Sequence, residues 1–418
     1  MARNTADRWR ITRMPPTSLT RRLGLADAVF LGLGSMIGAG VFAAFAPAAR
    51  AAGAGLLIAL VLAAVVAYCN AMSSARLAAI YPESGGTYVY GRERLGEFWG
   101  YLAGWGFITG KTASCAAMTL TVVAYAAPGL GQPWRSLLAV AVVAALTAVN
   151  YFGVHRSALA TRVIVSCTLL VLTASGVAMA AGPSGGGPLV AWPGGGGVLE
   201  AAGLLFFAFA GYARLATLGE EVRDPARTIP RAIPLALGIT LVVYAALAVL
   251  LLVRLGPAAL AASPDPIAAA VPGWLAPVVR VGAAVAALGS LLALILGVSR
   301  TTLAMSRDGH LPRFLAAVHP RYRVPHRAEL AVGLVVAVLA ATIDLRAAIG
   351  FSSFAVLTYY AIANAAALTL RGKALPVAVL GLAGCVVLAF SLPLPSVLAG
   401  CAALVLGCVA YGVRRIRR

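Results

Sequence analysis

Lys111 lies near the middle of a long apolar run, from about residue 97 to 127, where charged side chains are rare. A charged lysine at the centre of a membrane helix costs about 3 kcal/mol on insertion scales, and such residues usually face a cavity and serve function. A buried lysine can also lose and regain its proton near physiological pH. Three roles are open for Lys111: carrying a coupled proton, a static structural or gating role, and contact with an acidic substrate.

The ammonium group of Lys111 is expected to donate to freed carbonyls of the first apolar run, near Ile37–Gly38. Thr112 and Ser290 are its predicted neighbours, and Arg214 is the second cation that falls within an apolar run. The thirteen acidic residues lie at the ends of runs or in loops. A cavity with cations and no acids repels cationic ligands. The expected substrates are therefore neutral or acidic, and arginine, lysine and polyamines are disfavoured.

Four glycines lie within nine residues of the first apolar run, in the segment Gly32-Leu-Gly34-Ser35-Met36-Ile37-Gly38-Ala39-Gly40. Each weakens a helix by about 1 kcal/mol relative to alanine. One interpretation is close helix packing, since Gly34 and Gly38 form a GxxxG pattern. The other is a broken helix, whose freed backbone groups line a cavity and bind a carboxylate or an ion. A nucleotide-binding glycine motif is excluded, because the spacing fails and no strand precedes it.

The sixth apolar run shows a second interruption, in the segment Phe206-Phe207-Ala208-Phe209-Ala210-Gly211-Tyr212-Ala213-Arg214. The first and sixth runs are corresponding members of two halves of five runs each. Paired interruptions at corresponding positions are the best sequence indication of a transporter site. The alternative for the phenylalanines is lipid contact or core packing.

The elements that carry these segments follow from composition. Of 418 residues, 61% are hydrophobic and 11% charged, with a mean hydropathy of +0.92. A soluble protein cannot bury that much apolar surface. We predict an all-α integral membrane protein, since a span needs roughly 20 apolar residues. The twelve predicted spans cover residues 25–52, 54–79, 97–127, 136–153, 158–181, 199–219, 231–253, 277–305, 328–343, 346–370, 374–391 and 394–413. The division between spans 9 and 10 is the least certain.

The net charge of +20 reflects membrane topology rather than nucleic-acid binding. The basic residues lie in the short gaps between apolar runs, as the positive-inside rule expects. An N-terminus in the cytosol puts 26 of the 33 lysines and arginines on the cytosolic side and five outside. The first run is too long for a secretory signal and is interpreted as a retained span. Both termini are therefore predicted to be cytosolic, in the cytoplasmic membrane.

The cysteines, the histidines and the loops between the spans do not indicate an enzyme or a metal site. The six cysteines fall inside apolar runs without a CxxC pair and are interpreted as small buried hydrophobic residues. The four histidines lie in cytosolic loops and are expected to be solvated or near lipid headgroups. The loop 80–96 is either a short helix on the cytosolic membrane surface or a solvated loop. The external gap Gly182–Val198 is a flexible linker, and no cofactor is predicted.

Four segments, in order, resemble the motifs of the amino acid–polyamine–organocation (APC) permeases. They are Gly34–Phe42 in span 1, Tyr81–Tyr90 after span 2, Phe206–Arg231 in and after span 6, and Ser299–Pro312 after span 8. The resemblance covers roughly residues 20–370. It implies the leucine-transporter fold, with spans 1–5 and 6–10 as inverted repeats, two broken helices, and two further spans.

This resemblance divides the chain into a basic N-terminus, a transporter core, two accessory helices and a basic tail. The ranges are 1–24, 25–370 (repeats of about 25–181 and 199–370), 371–413 and 414–418. The resemblance also implies an amino-acid site at mid-membrane. The α-carboxylate of the bound amino acid would meet backbone amides near Ser35, Met36, Ile37, Gly38, Ala39 and Gly40. The α-amino group of the same amino acid would meet the backbone carbonyls of Phe207, Ala208, Phe209 and Ala210.

Two positions depart from the family pattern. Many relatives have an acidic residue just after the Gly-aromatic pair of span 6, where this chain has Ala213 followed by Arg214. Some proton-coupled relatives have a lysine in span 5, where a rough alignment places Thr168. Substrate charge and the coupling residue therefore do not carry over from the family.

The function that these features favour is a secondary active amino-acid permease, with protons as the candidate coupling ion. An exporter or exchanger of the same superfamily is the nearest alternative. A channel would need polar or charged rings along a pore, and the spans have no such recurrence. An intramembrane enzyme would need paired catalytic groups, which are missing. The amino acid, the direction of flux and the oligomeric state stay open.

The arginine distribution makes a testable prediction of topology. Single cysteines placed in each loop of a cysteine-free variant would be probed with an impermeant thiol reagent in intact cells. Positions within 182–198 should react, and positions within 300–327 should react only after lysis. Labelling of positions 310–325 in intact cells would contradict the orientation.

Overall fold

A computed structural model describes residues 23–81, 85–152, 158–183, 195–212, 215, 222–370 and 374–416. These residues form helices and short connections, apart from one isolated β-bridge between Leu23 and Val222. The prediction of an all-α chain is confirmed. The first half of the chain contains the helices Leu25–Met36, Gly40–Ala43 and Phe45–Ala52 (span 1), Leu56–Ile80 (span 2), Thr87–Leu95, Glu97–Ala126 (span 3), Trp134–Tyr151 (span 4) and Ala158–Ala180 (span 5).

The second half repeats this order after an interrupted first span. It contains Gly195–Phe209 with the 3₁₀ turn Ala210–Tyr212 (span 6), Pro225–Ala262 (span 7), Pro266–Ala270, Ala276–Arg307 (span 8), the 3₁₀ turn Arg313–Ala316, His326–Thr342 (span 9), Leu345–Leu368 (span 10), Leu375–Phe390 (span 11) and Leu394–Ile416 (span 12). By length and composition, nine of the described helical segments could cross a membrane, and two shorter apolar helices accompany them.

The uncertain boundary between spans 9 and 10 is a tight turn. Span 9 ends at Thr342 and span 10 begins at Leu345. The Asp344 carboxylate accepts a hydrogen bond of 2.9 Å from the Ala347 N–H, which caps the start of span 10. A capping carboxylate satisfies one of the orphan N–H groups of the first turn. The predicted division into two helices is therefore confirmed.

Span 3 forms the centre of the bundle. It packs along spans 8 and 10, and most of its residues are buried inside the protein. Span 1 packs against spans 6 and 7, so the two interrupted spans lie side by side. Spans 11 and 12 pack on span 10 at the edge of the bundle, as expected for accessory helices. The described residues fit the predicted all-α membrane fold, in which the first and the sixth span are interrupted at mid-bundle.

Ion pairs tie helix ends together on both sides of the bundle. The side on which Leu25 begins span 1 is called inner here and the opposite side outer. On the outer side, Arg280 donates to Asp265 at 2.8 Å, and Arg346 pairs with Glu200. On the inner side, Arg162 of span 5 pairs with Asp27 of span 1. The pairs Arg346–Glu200 and Arg162–Asp27 join elements that are distant in sequence, whereas Arg280–Asp265 joins consecutive helices.

The loop before span 3 contains the predicted short helix, Thr87–Leu95, but its residues 87–91 are buried against spans 3 and 10 instead of lying on the surface. The helix joins a polar cluster at the inner side. Tyr88 donates a hydrogen bond to Asp308, and its oxygen lies 2.9 Å from His310 Nδ1. His310 Nε2 lies 3.2 Å from the Glu97 carboxylate. Burial, reinforced by Asp308, raises the pKa of Tyr88 above its ordinary value. The phenol therefore stays protonated and remains a donor to Asp308.

His310 corrects the expectation that the histidines are solvated or near lipid headgroups. Its side chain is buried among Tyr88, Tyr101 and Tyr411. Within the described residues, no group of histidines, cysteines and carboxylates could hold a metal ion. His155 lies outside the described residues.

The cysteines are only partly buried. Cys69, Cys115 and Cys385 are buried as predicted, whereas Cys167 and Cys408 are exposed on the bundle surface. Cys385 also belongs to a buried polar contact between spans 2, 10 and 11. Its thiol donates to the Asn70 side-chain oxygen at 3.2 Å, and the Asn364 amide donates to the same oxygen at 2.6 Å.

Candidate functional site

Span 1 is broken at mid-bundle. Its inner half ends at Met36, residues 37–39 form a turn, and helix resumes at Gly40. The Ile37 N–H still donates to the Leu33 carbonyl at 2.7 Å, and regular bonds resume where Ala43 donates to the Ala39 carbonyl at 3.0 Å. Between them, the N–H groups of Gly38, Ala39 and Gly40 find no acceptor in the described part of the chain. The broken-helix interpretation of the glycine segment is confirmed.

The glycines of the break also serve close packing, so both interpretations of this segment hold. A Cβ at Gly38 would overlap the Ser290 hydroxyl and lie 2.7 Å from the Ser290 Cβ. A Cβ at Gly40 would lie 2.6 Å from the Ala208 Cα. Neither glycine has a positive φ. These glycines are therefore needed because the neighbouring spans approach too closely for a side chain, and not because of a left-handed backbone.

Span 6 changes geometry opposite the break in span 1. Its α-helix ends at Phe209 and tightens into a 3₁₀ turn at Ala210–Tyr212. A Cβ on Gly211 would overlap the Ser35 carbonyl, so the two interrupted spans touch through their backbones. Residues 213–214 and 216–221 lie outside the described residues, and so does the candidate cation Arg214.

The phenylalanines of span 6 face the protein interior rather than lipid. Phe206 and Phe209 are fully buried, and Phe207 is 7% exposed. Phe206 meets the Tyr360 ring edge-to-face at 5.9 Å, and Phe209 lies 5.1 Å from the Tyr244 ring. Ala208 and Ala210 are buried beside them. The core-packing alternative is therefore correct for Phe206 and Phe209, and their packing fixes the backbone of the break.

Lys111 reaches the break in span 6. Its side chain is buried, and its Nζ donates to the Ala210 carbonyl at 3.1 Å. The predicted acceptor, a carbonyl of span 1 near Ile37–Gly38, is wrong because the lysine projects from span 3 toward span 6. Within the described residues, no carboxylate pairs with Lys111. Among the described residues, the acceptor of the ammonium group is the Ala210 carbonyl.

The two predicted neighbours of Lys111, Ser290 and Thr112, bond to different spans. Ser290 of span 8 donates to the Gly34 carbonyl at 2.9 Å, so it satisfies an acceptor in the last turn before the break in span 1. Thr112 instead donates to the Ile108 carbonyl of its own helix at 2.7 Å. Ser290 therefore belongs to the site, whereas the hydroxyl of Thr112 bonds within span 3.

Tyr244 of span 7 is a site residue that sequence reasoning missed. Its hydroxyl lies 2.6 Å from the Met36 carbonyl and 3.1 Å from the Ala208 carbonyl, so it touches both broken spans. A tyrosine in an apolar run gives no signal that distinguishes this role from packing.

Glu329, in the first turn of span 9, is fully buried, and the sequence analysis did not identify it as a buried acid. No hydrogen bond or ion pair joins it to a described residue of either break.

A groove of about 450 Å³ lies elsewhere, between spans 5 and 8. Its walls are apolar, and Val278, Val281 and Val285 on its rim are largely exposed on the surface of the bundle. No charged residue lines it. It therefore belongs to the lipid-facing surface and not to the candidate site.

The broken first span and the tightened sixth span lie side by side, as the resemblance to the APC permeases implies. The family model described as "Amino acid permease" matches residues 23–409. This chain belongs to the amino acid permease family. The resemblance to the APC superfamily is thereby confirmed.

Relatives of this permease carry several substrate names. An uncharacterised transporter of Mycobacterium tuberculosis is 67% identical, over 96% of this permease and 93% of its own length. A branched-chain amino acid permease of Bacillus subtilis is 29% identical, over 85% of this permease and 82% of its own length. A vacuolar cationic amino acid transporter of Arabidopsis thaliana is 30% identical, over 79% of this permease and 60% of its own length. This permease is therefore a membrane transporter whose substrate must be argued from its own residues.

Gly38→Val should abolish transport while the permease still inserts in the membrane. A β-branched side chain cannot fit against the Ser290 Cβ without displacing span 1 or span 8. Uptake into proteoliposomes, normalised to reconstituted protein, would measure the loss. The matched control is Gly238→Val in span 7, since a Cβ at Gly238 meets no atom within 4 Å. Near-normal uptake by Gly38→Val would contradict a role of this break in transport.

Proposed function

We propose that this permease is a secondary active transporter of neutral or acidic amino acids across the cytoplasmic membrane, working by alternating access and coupled to protons through Lys111. The observation that supports this proposal is the meeting of helix ends of both polarities at mid-bundle. The inner half of span 1 and the helix of span 6 end there, and the outer half of span 1 begins there.

The N-terminal end of the outer half of span 1 suits a carboxylate. Helix N-termini carry partial positive charge and free N–H groups, which bind anions. The N–H groups of Gly38, Ala39 and Gly40 are among the donors that the described backbone leaves free. The α-carboxylate of an amino acid is the anion that we assign to them, with Ser35, Met36 and Ile37 at its rim.

The C-terminal ends of the inner half of span 1 and of span 6 suit an ammonium group. Helix C-termini carry partial negative charge on free carbonyls. The carbonyls of Phe207, Ala208, Phe209 and Ala210 are assigned to the α-amino group of the substrate. A carbonyl oxygen has two lone pairs, so the Ala208 carbonyl, already bonded by Tyr244, can accept a second donor. Carboxylate donors and ammonium acceptors side by side fit a zwitterion.

The burial of the breaks in spans 1 and 6 supports an alternating-access mechanism. Ile37, Ala39, Ala208 and Ala210 are each at most 3% exposed, so a substrate reaches them only if spans move. In transporters built from inverted repeats, one group of helices rocks against the other around a fixed site at mid-membrane. We propose the same for this permease, with both termini in the cytosol.

The charge of the site supports neutral or acidic substrates. Lys111 is the buried cation at the breaks, and no acidic residue contacts them in the described part of the chain. Asp27 and Glu200 lie near opposite ends of the bundle, each paired with an arginine. A cationic side chain beside Lys111 would be repelled in a low-dielectric site. This permease therefore differs in expected substrate from its relatives named as cationic amino acid transporters.

Competition assays should show this preference. Unlabelled alanine or glutamate should inhibit uptake of a labelled amino acid at concentrations at least roughly tenfold lower than arginine, lysine or a polyamine, because like charges repel. Uptake would be measured in proteoliposomes with and without internal amino acid, which also separates net transport from exchange. Tighter competition by arginine than by alanine and glutamate would contradict the proposed substrate class.

Lys111 is proposed to couple proton movement to substrate movement. Its ammonium is held by a single described acceptor, the Ala210 carbonyl, on the span that also faces the substrate. Loss of the proton would weaken that bond and release the end of span 6. Burial without a carboxylate partner makes both protonation states accessible.

Uptake measured against external pH tests the coupling. Wild type should be pH-dependent, and Lys111→Ala should be inactive or independent of pH, because alanine carries no proton. The control is Thr119→Val, since Thr119 is buried on the same span and donates to the Cys115 carbonyl of its own helix. A Lys111→Ala variant that keeps both its rate and its pH dependence would show that another residue carries the proton.

A further inference from the structure

Within the described part of the chain, the Tyr244 hydroxyl bonds both broken spans. Tyr244 is 1% exposed, and its oxygen lies 2.6 Å from the Met36 carbonyl and 3.1 Å from the Ala208 carbonyl. A phenol carries one proton, which it donates to one acceptor or shares between two. The hydroxyl therefore serves both carbonyls with one proton and draws them to one point.

The two carbonyls belong to helix ends that would otherwise repel each other. Met36 is the last residue of the inner half of span 1, and Ala208 lies in the last turn of the span 6 helix. The last four carbonyls of a helix lack partners within it, and helix C-termini carry partial negative charge. Without water, an unpaired carbonyl at this depth is costly. A shared donor reduces that cost and holds the two ends together.

The surroundings of Tyr244 fix its position. Its ring packs against Phe45 of the outer half of span 1 at 6.1 Å and against Phe209 of span 6 at 5.1 Å. A Cβ on Gly40 would lie 3.1 Å from the hydroxyl and 2.6 Å from the Ala208 Cα. Contacts from both halves of span 1 and from span 6 therefore converge on one side chain of span 7.

We propose that Tyr244 is a positioning residue that sets the spacing between the two breaks, and thereby the affinity for substrate. This inference rests on the proposed function, since it assumes that the carboxylate and the amino group bind to different broken spans. A ligand that bridges two spans binds best when their spacing is already set, because ordering lowers affinity. Tyr244 acts through the backbone carbonyls that it holds.

Tyr244→Phe is the variant that tests this proposal. It keeps the ring and removes the hydroxyl, so the half-saturating substrate concentration should rise roughly tenfold, while maximal uptake changes less than about threefold. Gly40→Ala should raise the half-saturating concentration similarly, because its Cβ pushes Ala208 away while the hydroxyl remains.

Tyr125→Phe is the matched control. Tyr125 is also 1% exposed, and its hydroxyl lies 3.3 Å from the Phe42 carbonyl of span 1. It bonds one broken span and not the other, so its loss should leave the half-saturating concentration within about threefold of wild type. An unchanged value in Tyr244→Phe, or an equal rise in Tyr125→Phe, would overturn the proposal.

A distance measurement separates failure of this inference from failure of the proposed function. Spin labels at Leu25→Cys and Leu199→Cys, in a cysteine-free variant, would report the separation of the inner half of span 1 from span 6. From the helix rise of about 1.5 Å per residue, this separation is roughly 30 Å. The distance distribution should be narrow in wild type and in Tyr125→Phe and broader in Tyr244→Phe, whatever the substrate is. Equal widths would overturn the role of Tyr244 even if amino-acid uptake is observed.

Discussion

In the hydrocarbon core of a membrane, a backbone carbonyl or N–H that leaves its helix must find a partner within the protein. This chain interrupts span 1 and alters span 6 at mid-bundle, and side chains from three other spans cover freed carbonyls. Ser290 bonds Gly34, Tyr244 bonds Met36, and Lys111 bonds Ala210. Spans 8, 7 and 3 are thereby held against the breaks, and the rest of the bundle is arranged around these contacts.

The same constraint explains the small residues of the two segments. Short side-chain donors reach backbone carbonyls only when the helices approach closely, and a Cβ at Gly38 or Gly40 would prevent that approach. Gly211 plays the corresponding part in span 6, against the Ser35 carbonyl. Apolar groups give little driving force for helix association in lipid, so close packing and hydrogen bonds must supply it. The glycines thus contribute to association as well as to the break.

Local sequence features predicted the spans, the two interruptions and Lys111 as a buried cation, because hydropathy, glycine clusters and lone charges are local signals. The partners of these groups are tertiary. Which carbonyl Lys111 reaches depends on the rotation of span 3 and the placement of span 6, and a single sequence contains neither. Tyr244 was missed for the same reason. His310 was misjudged because burial of a loop residue depends on contacts with distant Tyr88 and Tyr411.

Lys111 connects substrate charge to proton coupling by a charge-balance argument. In the described structure its ammonium faces a carbonyl and no carboxylate, and a net positive charge in a low-dielectric interior is unfavourable. Two events restore neutrality: loss of the lysine proton or arrival of a net negative ligand. A neutral zwitterion brings no net charge, so in its complex neutrality is reached by loss of the lysine proton. An acidic amino acid brings one negative charge and favours the protonated lysine. Under the proposed coupling through Lys111, the sign of proton movement would therefore follow from the net charge of the substrate.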